Sequence, residues 1–392
     1  MEIISRRGFL KKGITGAGAL AVSPVLTAAS QETADLVHRT LGRTGIRLPV
    51  VSFGVMRSDN PNLCKAAYDR GMRLFDTANG YLGGKSEVML GNFFRNYPRD
   101  SFIISTKVRS STDRQGRPDS QATSEKFMEF FNVSMGRLKM DYVDILYVHD
   151  VSNPEYLEYK PVINTVKKLK QEGRIRYIGF STHGNEPEVI NAAADQDVWD
   201  VILTQYNYRL SYIPELNAAI RKAASAGIGI VAMKTLAGGF LDRERTKPVN
   251  ATAALKWVLQ NPDIHTTIPG MTAFDQVDMN AKIMEDFTLS EQEKNELMAS
   301  LDDPGLICSG CNQCTADCVK NLPVRDIMRA YMYAYGYGSP AMARNLLAEL
   351  GTGENPCSEC DTCNVRCFRH FDLKERIADI SRLHNVPSEF LA

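Results

Sequence analysis

The sequence predicts an α/β chain: a parallel (β/α)8 barrel followed by a mostly helical, cysteine-rich module. Three observations carry this reading. Between Leu41 and Met284 eight short β-branched runs alternate with amphipathic segments, the order of a strand–helix barrel. No run ends in the G-x-G-x-x-G turn of a doubly wound dinucleotide-binding sheet, the next-best arrangement. Eight of the nine cysteines fall in two similar stretches near the C-terminus, behind a body that holds only Cys64.

Residues 1–30 stand outside the expected fold. "SRRGFLKK" is followed by the weakly apolar "GITGAGALAVSPVLTAAS", whose Gly, Ser and Pro make it a poor membrane span. Paired Arg6 and Arg7, with Phe9, Leu10 and Lys11, resemble the twin-arginine export signal. That route carries folded passengers, so the expected location is the periplasm, with membrane contact only through the signal.

The barrel is expected over residues 36–287. Its strand candidates are, in order, "PVVSFGV", "RLFDTA", "FIISTKV", "YVDILYVHD", "IRYIGFSTH", "VILTQYNY", "GIVAMKT" and "HTTIPGM". Helical patterns such as "EKFMEFFNVSMGRL" and "PVINTVKKLKQEG" lie between them, the second closed by the stop signal of Gly173. Cys64, alone in the helix after the first strand, is expected to be a small buried hydrophobe.

In such a barrel chemistry gathers where strands end and loops begin. The polar residues at those ends are Asp76, Lys107, His149, Ser181 with Thr182, Gln205 with Asn207, and Lys234. Tyr81 follows Asp76 by five residues. Singly, each has a plain structural role: a helix-capping Asp, a core His, a solvated Lys. Together, four of these residues fit one reaction. A tyrosine protonates a carbonyl oxygen well only if its pKa, about 10 unperturbed, is brought nearer neutrality. A neighbouring Lys107 ammonium would lower it, Asp76 would hold that lysine charged, and His149 would orient the carbonyl.

"RTLGRTGIRLP", "FDTANGYLGGKSEVMLG", "STKV", "MGRLKMDYVDILYVHD", "LKQEGRIRYIGFSTH" and "TIPGM" together resemble the aldo-keto reductase family across about residues 38–284. The resemblance implies a TIM barrel and NAD(P)H-dependent carbonyl reduction, or the reverse alcohol oxidation. Its Asp–Tyr–Lys–His tetrad falls on Asp76, Tyr81, Lys107 and His149. Ser181 and Gln205 stand where the family holds the nicotinamide carboxamide, with Asn207 and Lys234 beside them. Thr182 replaces the family's Asn, and Met233 replaces the aromatic that stacks on the nicotinamide. Gln276 and Asn280 fit adenine-side positions. Gly270 and Gln276 stand where NADPH-preferring members often carry basic side chains, and without a cation a 2′-phosphate is held less well. The cofactor is therefore NAD or NADP, and the sequence does not support a preference for NADP.

The expected module, residues 288–392, carries two C-x2-C-x2-C-x3-C runs: Cys308, Cys311, Cys314 and Cys318, then Cys357, Cys360, Cys363 and Cys367. Four thiolates around one compact cluster suit a 4Fe–4S cubane, and in two-cluster ferredoxins the fourth cysteine of each run ligates the other cluster. Cys308, Cys311, Cys314 and Cys367 would then hold one cluster, and Cys357, Cys360, Cys363 and Cys318 the other. Val319 and Phe368 stand where a proline usually follows the fourth cysteine. Zinc ordinarily uses C-x2-C pairs separated by longer loops, and disulfides among so many close thiols would mispair. The intervening "VRDIMRAYMYAYGYGSPAMARNLLAEL" reads as two helices broken near Gly336–Pro340, its tyrosines and methionines packing under the clusters.

The chain has 392 residues, 44% of them hydrophobic, enough for one large core plus an appendage. Lys plus Arg and Asp plus Glu both total 46, and no basic stripe recurs after the N-terminus, which argues against nucleic acid as a partner. Two functions follow. One is an oxidoreductase acting on a small-molecule carbonyl or alcohol, with the clusters as electron-transfer or structural groups. The alternative is an exported iron–sulfur electron-transfer protein on a reductase-like barrel, serving a redox partner.

Overall fold

The computed structural model describes residues 35–113, 115–311, 314, 317–360 and 362–391. The expected export signal lies outside the described residues. Leu36–Ala392 forms one unit.

The chain enters through a short antiparallel hairpin of β1 (His38–Thr40) and β2 (Arg47–Pro49), which the sequence reading did not separate from the barrel. Eight strands follow: β3 (Phe53–Gly54), β4 (Leu74–Asp76), β5 (Ile103–Val108), β6 (Val143–Val148), β7 (Ile175–Thr182), β8 (Val201–Gln205), β9 (Gly229–Met233) and β10 (Thr266–Thr267). They lie side by side in sequence order and all pair parallel. Parallel bridges Val51–Thr267 and Gly54–Gly270 join the last strand to the first and close the barrel. All eight expected strands are present in the expected order, the first and last shorter than their β-branched runs.

Helices α1 (Pro61–Asp69), α2 (Lys85–Phe94), α3 (Ser124–Leu138), α4 (Lys160–Gln171), α5 (Glu186–Ala194), α6 (Ile213–Ser225), α7 (Ala251–Leu259) and α8 (Phe274–Glu285) connect the strands. Local sequence sets their ends. Asn60, Thr123 and Asn250 accept backbone N–H groups of the first turns of α1, α3 and α7, and Gly173 turns the chain at φ 72° after α4.

Side chains alternate between two layers. Leu74, Ile145, Tyr147, Val201, Leu203 and Val231 fill the barrel interior, while Phe75, Leu146, Phe180, Ile202 and Ile230 face the helices. Leu41, Ile46 and Leu48 of the hairpin join the interior cluster and plug the end where strands begin. The plug sits close. At Gly42 (φ 50°) a Cβ would lie 2.4 Å from the Gly227 carbonyl oxygen, so only glycine is tolerated. With that end sealed, ligands reach the barrel only where the strands finish.

After α9 (Glu291–Ala299), begun by a Ser290–Glu293 capping box, come α10 (Val324–Tyr335), α11 (Pro340–Glu349) and α12 (Leu373–Ser381). The two helices expected around Gly336–Pro340 are α10 and α11. Ile327, Met328, Tyr331, Leu346, Leu347 and Ile377 form the module's own core. A further cluster joins the module to the barrel, with Ile307 and Met332 packed on Ala237, Tyr208 and Val249. None of the described helices is long and apolar enough to cross a membrane.

Candidate active site

The parallel register brings the expected residues to one end of the barrel. Asp76 ends β4 opposite Ser105 of β5, and Lys107 pairs in register with Tyr147 of β6. His149 follows β6, its N–H bonded to the Val108 carbonyl at 2.9 Å. The Lys107 ammonium donates to the Asp76 carboxylate and to the Thr77 carbonyl at 2.7 Å, while Ser105 Oγ donates to Asp76 at 2.7 Å. Both charged side chains are buried. Burial pushes the Asp76 carboxyl up and the Lys107 ammonium down, and the attraction within the pair opposes both shifts.

Tyr81 opens a 3-10 turn, Tyr81–Gly84, whose Leu82 and Gly83 are left-handed (φ 51° and 64°). The turn swings the phenol back over the pair. Lys107 Nζ lies 4.8 Å from the Tyr81 ring centroid, and the His149 ring stands edge-on at 6.1 Å. All four tetrad candidates therefore meet. One expectation is overturned. The Tyr81 pKa is not lowered but raised well above its ordinary value, first by burial and then by the Asp76 charge. Lys107 faces the ring rather than acting as an unpaired charge beside the hydroxyl. Tyr81 is accordingly a neutral phenol, a proton donor across the physiological range. Burial, aided by Lys107, lowers His149 to about 3, so its imidazole is neutral as well.

The nucleotide-side candidates divide into two groups. Ser181 Oγ accepts the Asp150 N–H at 3.0 Å, and Gln205 donates to the Tyr212 hydroxyl at 3.2 Å. Lys234, left-handed at φ 55°, follows β9, and burial reinforced by the Arg329 charge lowers its ammonium to about 7. Asn207 Nδ2 and Thr235 Oγ1 at the strand ends, and Asn280 Oδ1 on α8, are buried without a hydrogen-bond partner and hold unused polar capacity. Gly270 and Gln276 lie apart from the tetrad, on the β10–α8 connection and on α8. A Cβ at Gly270 would meet nothing nearer than 3.7 Å, and Gln276 accepts the Thr272 N–H at 2.8 Å. Orphaned Asn207 Nδ2 and Thr235 Oγ1, which follow Gln205 and Lys234 closely in the chain, and Asn280 Oδ1 on α8 fit the donor and acceptor chemistry of a nicotinamide nucleotide. Space is tighter, because the cavity shared by His183, Gln205, Lys234, Cys308, Arg325 and Arg329 measures about 20 Å³. That is room for a water.

The sequence reading missed what lies over this mouth. Arg325 of α10 donates to the His183 carbonyl and lies 3.7 Å from Glu186, while Arg329 contacts the His183 ring and sits 3.6 Å from Asp150. Asp150 also meets His183 Nδ1 at 3.2 Å and Arg109 at 3.1 Å. Burial opposes its charge, yet His183, Arg329 and Arg109 hold its carboxyl well below the usual range. His183 directly follows β7 and Asp150 lies two residues past β6, strand-end positions that are a readable signal. Arg325 and Arg329 carried none, since helix arginines usually face solvent.

In the module, Cys318, Cys357, Cys360 and Cys363 line one cavity with Leu322 and Ile377. Cys311 and Cys367 lie close enough to Cys308 to act on its thiol, which burial pushes up to about 11. The Gly310 N–H donates to Cys308 Sγ at 3.4 Å. Among the described residues no group of three or more His, Cys, Asp or Glu is assembled at metal-binding geometry. Cys64 is buried 3.5 Å from Met89 Sδ, its thiol raised to about 12 by burial, as an inert core residue should be.

The sequence pattern of the aldo/keto reductase family matches residues 53–253. Over 259 residues the chain is 29% identical to aldo-keto reductase AFTS1 of Alternaria alternata, covering 56% of this chain and 70% of that one. It is 26% identical over 307 residues to L-galactose dehydrogenase of Arabidopsis thaliana, covering 67% and 94%. Aldo-keto reductase AKR11C1 from Bacillus halodurans, in its holo form, superposes with a TM-score of 0.56 over 68% of this chain and 96% of that chain. At 23% identity this last likeness speaks to the fold alone.

Proposed function

The chain belongs to the aldo/keto reductase family and is an NAD(P)-dependent oxidoreductase; from that premise we propose that it reduces a hydroxylated, sugar-like carbonyl, or oxidises the corresponding alcohol, with Tyr81 as the acid–base group. The observation that carries this reading is the buried Asp76–Lys107 pair lying against the Tyr81 ring, with neutral His149 at its edge.

Each residue then has a task. Tyr81, protonated at neutral pH, gives its proton to the carbonyl oxygen in reduction and recovers one in the reverse direction. The Lys107 ammonium over the ring stabilises negative charge as it grows on the phenol oxygen, and Asp76 keeps that ammonium charged although buried. His149, neutral, would hydrogen-bond the same carbonyl oxygen and aim it. When bound, the nicotinamide supplies the hydride. Ser181, Gln205, Asn207, Lys234 and Asn280 would hold the nucleotide. The sugar-like class rests on the likeness to L-galactose dehydrogenase. The test is NAD(P)H oxidation, followed anaerobically, against a panel of aldoses and simple aldehydes. Turnover of at least one hydroxylated carbonyl is expected, and none across the panel would refute the reading.

The cysteine runs are proposed to hold two 4Fe–4S clusters with exchanged fourth ligands. Support comes from which thiols are neighbours: Cys318 shares a cavity with Cys357, Cys360 and Cys363, and Cys367 lies by Cys308. Arg6 and Arg7 are proposed to direct export of the folded chain to the periplasm. A second reading, electron transfer to a redox partner, draws on Cys308 lining the same cavity as Gln205 and Lys234.

A further inference from the structure

Tyr333 and Tyr337, expected to pack beneath the clusters, lie instead at the mouth of the barrel. Their rings stack at 5.5 Å and 23°. Lys234, after β9, sits 5.7 Å from the Tyr333 ring, and Arg57, after β3, sits 4.9 Å from the Tyr337 ring while also donating to the Tyr337 carbonyl at 2.6 Å. The pair thus covers the sector of the mouth between the ends of β9 and β3, over β10. It is held close. At Gly336, between the two tyrosines, a Cβ would lie 2.7 Å from the Gly238 carbonyl oxygen of the loop after β9, which keeps the chain against that loop.

Both rings stand at the strand-end mouth that also holds the tetrad. Both phenols act electrostatically on Tyr81, and Tyr333 also responds to Asp150 and Arg109 at the ends of β6 and β5. Neither hydroxyl, nor that of Tyr81, forms a hydrogen bond with any described residue, and all three side chains keep partial exposure. The ring faces are already taken by each other, by Lys234 and by Arg57. What remains for a ligand is the hydroxyl edge, a hydrogen-bonding surface rather than an apolar slot. By contrast Tyr335, on the opposite face of α10, is satisfied by Asp379 and Arg243.

We propose that the C-terminal module completes the substrate pocket: Tyr333 and Tyr337 hydrogen-bond hydroxyl groups next to the reacting carbonyl and select hydroxylated over plain aldehydes. This rests on Tyr81 as the proton donor, because it places the reacting carbonyl beside that residue. A site built to hydrogen-bond hydroxyls discriminates strongly against substrates that lack them.

The probes are glyceraldehyde and propanal, which share three carbons and differ in the two hydroxyls. With the full chain purified anaerobically, kcat/KM for glyceraldehyde should exceed that for propanal. The ratio should fall by about tenfold for each hydroxyl removed in Tyr333→Phe and Tyr337→Phe. Tyr335→Phe should leave the ratio as it is. A ratio unchanged in both variants overturns the proposal while leaving the reductase reading intact. Binding is read separately, by saturation-transfer NMR on Tyr81→Phe protein. Glyceraldehyde should give a signal that disappears when Tyr333→Phe and Tyr337→Phe are added. If no carbonyl of the panel is turned over yet that signal behaves so, the reductase reading fails and the pocket assignment stands. If the signal is missing from the start, or survives the added substitutions, the pocket assignment fails.

Discussion

Arg329 of the C-terminal module lies 3.6 Å from Asp150, the residue that follows catalytic candidate His149. Both side chains are almost wholly buried, so the contact fastens the module to the end of the barrel that does the chemistry. Removing one member of a buried ion pair leaves an uncompensated charge. Arg329→Met should cost about 3 kcal/mol, the low end of the range for such pairs because Arg109 remains on Asp150. Thermal or urea unfolding of the full chain measures it. An unchanged midpoint would mean the pair is no fastening.

Lys234 gives the site a pH dependence near neutrality. Burial brings its ammonium to about 7, so it is charged below that pH and neutral above it. An anionic nucleotide should bind better on the acid side. Its KM should rise roughly tenfold as pH passes from 6 to 8, the scale of one charge-assisted hydrogen bond. In Lys234→Met the step should vanish. Tyr81 and His149 add no step in that interval, since Tyr81 stays protonated and His149 stays neutral.

The two cysteine sets make a stoichiometric claim. Anaerobically purified protein should carry about eight irons and eight sulfides per chain. Cys318→Ser should disturb the cluster of Cys357, Cys360 and Cys363, and Cys367→Ser the cluster of Cys308, Cys311 and Cys314. Electron paramagnetic resonance of the reduced variants tells the two apart. Zinc without sulfide would replace this reading.

Export is tested at Arg6 and Arg7. With both changed to lysine, the protein should remain in the cytoplasmic fraction of a bacterium that has the twin-arginine route. Unchanged periplasmic yield would remove the signal from the account.

The barrel was legible because β-branched runs and strand-end polar residues repeat in register with it. Asp76, Lys107 and His149 could be found by position alone, and Tyr81 by its distance along the chain from Asp76. The acidity of Tyr81 could not. The sequence places a lysine nearby, but only the folded chain has it face the ring, pair with Asp76 and lie where burial dominates. The docking of the module was hidden for a related reason. Arg325, Arg329 and Tyr333 follow an ordinary amphipathic pattern along α10, with Tyr337 just past its end, and that pattern identifies a helix but not the surface it covers. The hairpin of β1 and β2 passed unseen because two three-residue strands are too short for an alternation to register.

The central claim is that Tyr81 moves the proton in carbonyl reduction. The most direct measurement is kcat for an accepted aldehyde in Tyr81→Phe, made beside the unaltered chain with matched iron content and folding. A loss of about 10²–10⁴-fold is expected, the usual worth of a positioned acid. Turnover equal to that of the unaltered chain would contradict it.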